Sequence, residues 1–237
     1  MGFITKMTLA MVVLSLFQKE TKGQSASTAT LTRNLLALSD PEVRPNADRT
    51  GPEITVNLFV TGAEKAGRPN VVTVGFWVQM LWIDPRLSWD PAQYNNITTV
   101  YLPARKLWLP NFAVWHSANP LEPFFSEEQR IAVVTSNGAV AWSPKGVITV
   151  YADQVTPGNY TSGATYQTQS IIGDWDLQDV EISVKAVGTT VDLSQQKNSG
   201  LQVTGTSLRS VIQSFEGFGR YPLLEVILNL QEQTRSA

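Results

Sequence analysis

Between Val72 and Trp82 every second residue is apolar: Val72, Val74, Phe76, Val78, Met80 and Trp82. The residues between them, Thr73, Gly75, Trp77, Gln79 and Leu81, form a mixed set. A period of two over this length fits a β-strand with one buried face, because successive strand side chains point to opposite sides. It also divides the two tryptophans. Trp82 shares the core face, whereas Trp77 points to the other side, where an indole marks an interface or a ligand. After the strand comes "IDPRLSWDPAQY", whose two Asp-Pro steps predict a loop shaped by turns. Trp89, beside the second step, is expected to act as a structural wedge, and Trp108 and Trp142 to be structural as well.

The same alternation recurs. "EITVNLFVTG" places Ile54, Val56, Leu58 and Val60 on one face. "VEISVKAVG" does so with Val180, Ile182, Val184 and Ala186, and "LLEVILNL" with Leu224, Val226, Leu228 and Leu230. Asn137-Gly138 in "TSNGAVAW" is a hairpin turn signal. Residues 187–207 are polar and rich in Gly and Ser, and predict a long exposed loop. One helix precedes the strands: Ser27 or Thr28 caps it, Leu31, Leu35 and Leu38 recur at helical spacing, and Pro41 stops it. Many short strands, one leading helix and frequent turns predict an all-β sandwich. No internal repeat is visible.

Composition removes whole classes of chemistry. The chain of 237 residues has no cysteine and one histidine, His116. Thiolate nucleophiles, disulfides and Cys-ligated zinc are excluded, and a histidine-based triad has only His116 to draw on, with no paired nucleophile motif. A formal net charge of -2 gives no basic footprint for nucleic acid. At the N-terminus Lys6 precedes the apolar run Met7 to Phe17, and small polar residues follow. That pattern predicts a secretory leader over residues 1–26, cleaved between Gly23 and Ser27, and one ligand-binding domain over 27–237. No later apolar run is long enough to span a bilayer. The product is expected to be secreted and extracellular, without a membrane span or a cofactor. Asn96-Ile97-Thr98 and Asn159-Tyr160-Thr161 are sequons, so Asn96 and Asn159 are candidate glycosylation sites.

"WVQMLWIDPRLSWDPAQY", "LPARKLWLPNFAVW", "NGAVAWSP" and "GDWDLQDVEI" follow one another in an order and spacing that resembles the extracellular domain of Cys-loop, or pentameric ligand-gated, receptors. The soluble acetylcholine-binding proteins are the most similar form, and the likeness runs from about residue 28 to about residue 232. The spaced set Trp77, Trp82, Trp89 and Trp108, with Asp84, Pro91 and Pro110, carries it, and "YADQVTPGNYTSGATY" resembles the disulfide loop of the binding proteins. The resemblance implies an N-terminal helix, an immunoglobulin-like sandwich of ten strands, a ring of five identical subunits, and small-molecule sites between subunits without catalysis. It also implies the site residues. Trp77 takes the loop D position on the complementary side. Trp115 takes loop A, where the cholinergic pattern has Tyr, and Trp175 takes loop B. Tyr221 matches the second loop C tyrosine, with Phe215 or Phe218 near the first. Loop E supplies Val133, Ala141 and Ser143.

Such a ring of aromatics suits an ammonium ion. Each π-face over a cation contributes about 0.5–2 kcal/mol, without a buried carboxylate to compensate. Asp174, beside Trp175, is a candidate source of negative potential. The chain departs from the pattern in three places. Ala152 or Asp153 and Tyr166 stand where the loop cysteines belong. Loop C, "SFEGFGRYP", is short, lacks vicinal cysteines and is expected to be loosened by Gly217 and Gly219. Loop A carries Trp115. The expected ligand is therefore a small cationic or amphipathic molecule rather than acetylcholine as such. The alternatives are a structural or interaction pentamer without such a site, and the ectodomain of a ligand-gated channel.

Overall fold

The computed structural model describes residues 25–47, 50–119, 124–125, 131–158, 163–197 and 199–233. The expected leader lies outside them except for its last two residues, with which helix α1 (Ser25–Leu38) begins. The helix starts earlier than the sequence suggests, and Ser27 is not its cap. The Ser27 hydroxyl instead accepts a hydrogen bond from Asn95 Nδ2 at 2.8 Å. Leu31 and Leu35 are buried, but Leu38, at the last turn, is 62% exposed because the helix has run past the sheet it covers.

The strands are β1 (Glu53–Lys65), β2 (Val71–Ser88), β3 (Thr99–Pro103), β4 (Phe112–Val114), β5 (Ile131–Thr135), β6 (Asn137–Trp142), β7 (Lys145–Tyr151), β8 (Asp153–Thr156), β9 (Thr165–Asp174), β10 (Ser183–Ala186), β11 (Leu201–Phe215) and β12 (Gly219–Glu232). They join in the order β3-β5-β6-β2-β1-β11-β12-β9-β4, with β10 on β1, β7 on β2 and β8 on β9. The sheet folds over so that distant members of this order meet. Phe125 stacks on Phe112 of β4 at 6.3 Å and meets Trp142 of β6 edge-on at 5.1 Å. That closure gives the two-layered β-sandwich its single core. Where ten strands were expected, twelve segments appear among the described residues, since β4, β8 and β10 are pieces of three or four residues.

The alternation argument holds along β2. Val72, Val74, Phe76, Val78, Met80 and Trp82 are all buried, while Thr73, Gly75, Trp77, Gln79 and Leu81 are half-buried. The Asp-Pro reading needs correction, because β2 continues through Asp84-Pro85 to Ser88. The pairing with β6 slips between Ile83 and Ser88, so this step makes a bulge and not a loop. The bulge turns Asp84 inward, where it is 1% exposed and takes both Nε (2.9 Å) and a terminal nitrogen (2.8 Å) of Arg86. Only Asp90-Pro91 starts a turn, with the Asp90 carboxylate capping the amide of Ala92. Trp89 wedges against the core and donates from Nε1 to the Ile97 carbonyl at 2.7 Å.

Two further expectations shift. Val180 is exposed and outside any strand, because β10 begins only at Ser183, beside Glu53 of β1. The segment 187–207 is not one long loop. Leu201 and Val203 are buried at the start of β11, and Val191 drops into the core between the polar residues. Where the disulfide loop has no cysteines, β8 pairs with β9 in an antiparallel ladder, with Gln154 opposite Tyr166, and Ala152 is buried. Backbone hydrogen bonds and burial therefore tie the base of that loop.

Candidate functional site

Four aromatic rings from three regions of the chain meet at one end of the sandwich. Trp115 leaves β4 with its backbone N–H bonded to the Ile171 carbonyl of β9 at 2.9 Å. Trp175 leaves β9 with its N–H bonded to the Asn111 carbonyl at 3.1 Å. Phe215 and Tyr221 flank the hairpin between β11 and β12. Trp115 is the hub. Its ring centroid lies 4.8 Å from Trp175, 4.8 Å from Phe215 and 5.3 Å from Tyr221, and Phe215 and Tyr221 are 5.8 Å apart. Trp175 stays 41% exposed, so the cluster keeps one aromatic face open to solvent. The Nε1 of Trp115 is buried with no acceptor among the described residues.

Loop C is ordered by its glycines and not loosened by them. Pairing of β11 with β12 continues to Phe215 opposite Gly219, leaving only 216–218 as the turn. Gly217 and Gly219 have φ of 79° and 114°, which side-chain-bearing residues rarely adopt. A Cβ on Gly219 would also strike the Gln178 side chain, at 2.4 Å. Sequence reasoning overlooked a second tie: Arg220 pairs with Asp179 at 3.0 Å, and the Asp179 N–H donates to the Arg220 carbonyl at 2.8 Å. Phe218, at the tip, is 75% exposed and outside the ring cluster, although its carbonyl accepts the Tyr221 hydroxyl at 3.3 Å. Of the two phenylalanines considered for loop C, Phe215 is the one in the cluster.

Asp174 immediately precedes Trp175 in the chain. It ends β9 opposite Phe112 of β4 and is 1% exposed. Its carboxylate accepts the N–H of Asn111 at 2.8 Å and those of Asp176 and Leu177 at 3.0 Å each. Burial pushes its pKa above the usual carboxylate value. The three backbone donors pull the other way without cancelling that effect. The same contacts lock the segments carrying Trp115 and Trp175 together.

The other expected site residues lie apart from this cluster within one chain. Trp77 meets Phe59 in a tilted ring contact at 5.1 Å, which the sequence reading missed although Phe59 shares the outward parity of Asn57 in β1. Trp77 stands opposite Lys145 of β7. Along the same outward face, Leu81 is opposite Ala141, and Ala141 is opposite Val133. All four, with Ser143 just beyond β6, are half-buried in the single chain. Among the described residues no ring contact joins Trp77 to Trp115 or its partners. His116 is exposed beside Trp115 and belongs to no ring contact. Asn96 is exposed, and Asn159 lies outside the described residues. Among the described residues no cluster of His, Asp and Glu could hold a metal, and no helix is long and apolar enough to cross a membrane.

The profile of the neurotransmitter-gated ion-channel ligand binding domain matches residues 28–153, more than half of the chain. The chain belongs to that family. It is 34% identical over 155 residues to the neuronal acetylcholine receptor subunit eat-2 of Caenorhabditis elegans, covering 59% of this chain and 32% of that one. Similarity to the neuronal acetylcholine receptor subunit alpha-6 of Homo sapiens is 27% over 157 residues, covering 64% and 30% respectively. The acetylcholine receptor subunit alpha-type acr-16 of C. elegans shares 36% over 110 residues, covering 45% and 22%. The chain therefore spans about a third or less of the length of these relatives. The family is one of ligand-binding domains and not of catalysts.

Proposed function

We propose that this chain binds a small cationic or amphipathic ligand between two copies of itself in a homopentamer, without catalysis. One copy contributes Trp115, Trp175, Phe215 and Tyr221. The next contributes Trp77, Val133, Ala141 and Ser143. The observation that carries the reading is the convergence of three rings, from the end of β9 and the β11–β12 hairpin, on Trp115 at the end of β4. Rings gathered at a sheet end with one open face suit an ammonium group, for which each face is worth about 0.5–2 kcal/mol. The outward face around Trp77 supports the second half of the site, because apolar residues there stay half-buried among the described residues.

The acetylcholine receptor subunits among its relatives make ammonium neurotransmitters the first ligands to try. The three-residue turn at loop C encloses little, so affinity for the smallest of them is expected to be micromolar or weaker, about −8 kcal/mol or less favourable. Titration with a panel of ammonium compounds, read by tryptophan fluorescence and calorimetry, tests the reading. Saturable quenching supports it, and a flat response across the panel overturns it. A second reading has its own support. Phe215 lies flat on Trp115 and covers one face of the hub, as expected of an interface core with no ligand. In that case removing Phe215 changes assembly and no ammonium compound responds.

The extracellular reading adds a modification. Asn96 and Asn159 are proposed as glycosylation sites of a secreted form. Enzymatic deglycosylation of protein from a eukaryotic host should shift its mass, and two unmodified asparagines there would count against it.

A further inference from the structure

Asp174 is a buried carboxylate immediately before Trp175 in the chain, and the Asn111 that donates its N–H to this carboxylate also accepts the Trp175 N–H through its carbonyl. Among the described residues its bonded partners are three backbone N–H groups, and no cation. That arrangement is unusual for a carboxylate, because buried charge is normally matched by an opposite charge. The surroundings do not supply one. The titratable group acting on it is Asp176 of the same turn, whose own carboxylate takes Asn111 Nδ2 at 2.8 Å and adds negative potential. From β12 comes Arg220, already held by Asp179 at 3.0 Å, and also the phenol of Tyr221. From the segment after β4 comes His116, which is exposed. Next to the segment that carries Trp175 there is thus a buried carboxylate that, among the described residues, has hydrogen bonds but no counter-ion.

We propose that Asp174 is a positioning residue and the fixed counter-charge of the aromatic site, so that the site prefers a cation to a neutral molecule of the same shape. The inference rests on the proposed ligand reading. Two effects act together. The N–H bond from Asn111 ties the segment leading into Trp115 to the one that carries Trp175, the bonds from Asp176 and Leu177 fix the turn after Trp175, and the negative charge raises the cation affinity of the neighbouring rings. In a poorly solvated setting such a charge acts over several ångströms with little screening. Protonation removes the charge but leaves the shape. Since burial raises the pKa of Asp174, the change falls at higher pH than for an ordinary aspartate, and affinity for a permanent cation rises with pH as the group ionises.

The test compares choline, a permanent cation, with 3,3-dimethylbutanol, its neutral carbon analogue, on the assembled protein. Wild-type protein is titrated with both from about pH 4 to about pH 8, spanning the range in which carboxylates ionise. Choline affinity should rise with pH while the neutral analogue stays flat. In Asp174→Asn the preference for choline over the analogue should fall about five- to tenfold, and the pH dependence should vanish. Asp174→Ser, which keeps a short acceptor without charge, should behave alike. Repeating the wild-type series on His116→Gln excludes the one imidazole in the chain. If neither variant folds, the wild-type pH series still decides. A flat choline profile, or an unchanged preference in a folded variant, overturns the role of Asp174 while leaving the ligand reading intact. No binding of choline or of its analogue at any pH overturns the inference and counts against that reading too.

Discussion

The Phe215 ring lies nearly parallel to the Trp115 indole, 4.8 Å away with 18° between their planes. Through Trp115 the end of β4 meets the β11–β12 hairpin. The two together turn a strand end and a hairpin tip into one surface. The stack ties the end of β11 to the residue that follows β4, because Phe215 is the last residue of β11 before the turn.

Truncating this ring separates wall from plug. Phe215→Ala should weaken binding of ammonium compounds about three- to thirtyfold, the worth of one π-face. The melting temperature should change little, since Phe215 is only half-buried and lies at a hairpin tip. Calorimetry beside a thermal melt reads both. Tighter binding after truncation would show that the ring blocks the hub.

The tryptophans should divide into two classes. Trp175→Ala and Trp77→Ala leave the core intact, and each should lose ligand affinity while keeping a cooperative melt. Trp82 is fully buried and meets Trp108 edge-on at 6.0 Å. Its truncation should cost about 3–5 kcal/mol, a large share of a domain's stability. Trp89→Ala should also destabilise, through its lost bond to Ile97 and its packing on the core. Melting curves with binding isotherms on the same four proteins provide the check.

Assembly should be sensitive on the outward face of β2. Leu81, Ala141 and Val133 lie side by side there across three strands, each only half-buried among the described residues. Light scattering behind gel filtration should give a species of five chains for the wild type. Leu81→Glu with Val133→Glu should shift it to smaller species while circular dichroism stays β-rich, because neither side chain enters the core. A wild-type monomer at micromolar concentration would remove the basis for a site between subunits.

Period-two patterning made β1, β2 and β12 legible, because each has one face in a single core. It failed where tertiary contacts overrode local chemistry. Asp84-Pro85 has the composition of a turn, yet the Arg86 guanidinium allows Asp84 inside and the chain stays extended. Residues 187–207 look soluble by composition, but Val191, Leu201 and Val203 are enough to pin the segment. At the site, Trp115, Trp175 and Tyr221 could be named from their motifs. The tilted contact of Phe59 with Trp77 and the tie between Arg220 and Asp179 could not, since both depend on how separate segments of the chain are brought together in the fold.

The pH dependence of stability should contain two carboxylate contributions of opposite sign. Glu225 sits in β12 beneath Arg209 of β11 and Gln169 of β9, which donates to it at 2.7 Å. Burial alone would push its pKa up, but the hydrogen bonds from Arg209 and Gln169 and the Arg209 charge outweigh it and hold it below the usual glutamate value. A carboxyl group depressed in the folded state stabilises above its unfolded pKa, and that stability is lost as pH falls through the folded value. Asp174 is raised, so its contribution runs the other way: the folded state holds its proton more tightly, and stability falls as pH rises from the unfolded toward the folded value. Glu225→Gln should therefore lower the melting temperature by a few degrees near neutral pH, with the gap to wild type narrowing in acid. Asp174→Asn removes the opposite slope, and its gap to wild type should widen in acid, where the wild-type group is protonated and its folded-state preference for the proton is fully expressed. Melting temperatures of both variants and the wild type, measured from about pH 3 to about pH 8, should diverge in these opposite senses. Parallel curves for Glu225→Gln and wild type would mean that Arg209 and Gln169 hold Glu225 no more tightly in the folded chain than water does in the unfolded one.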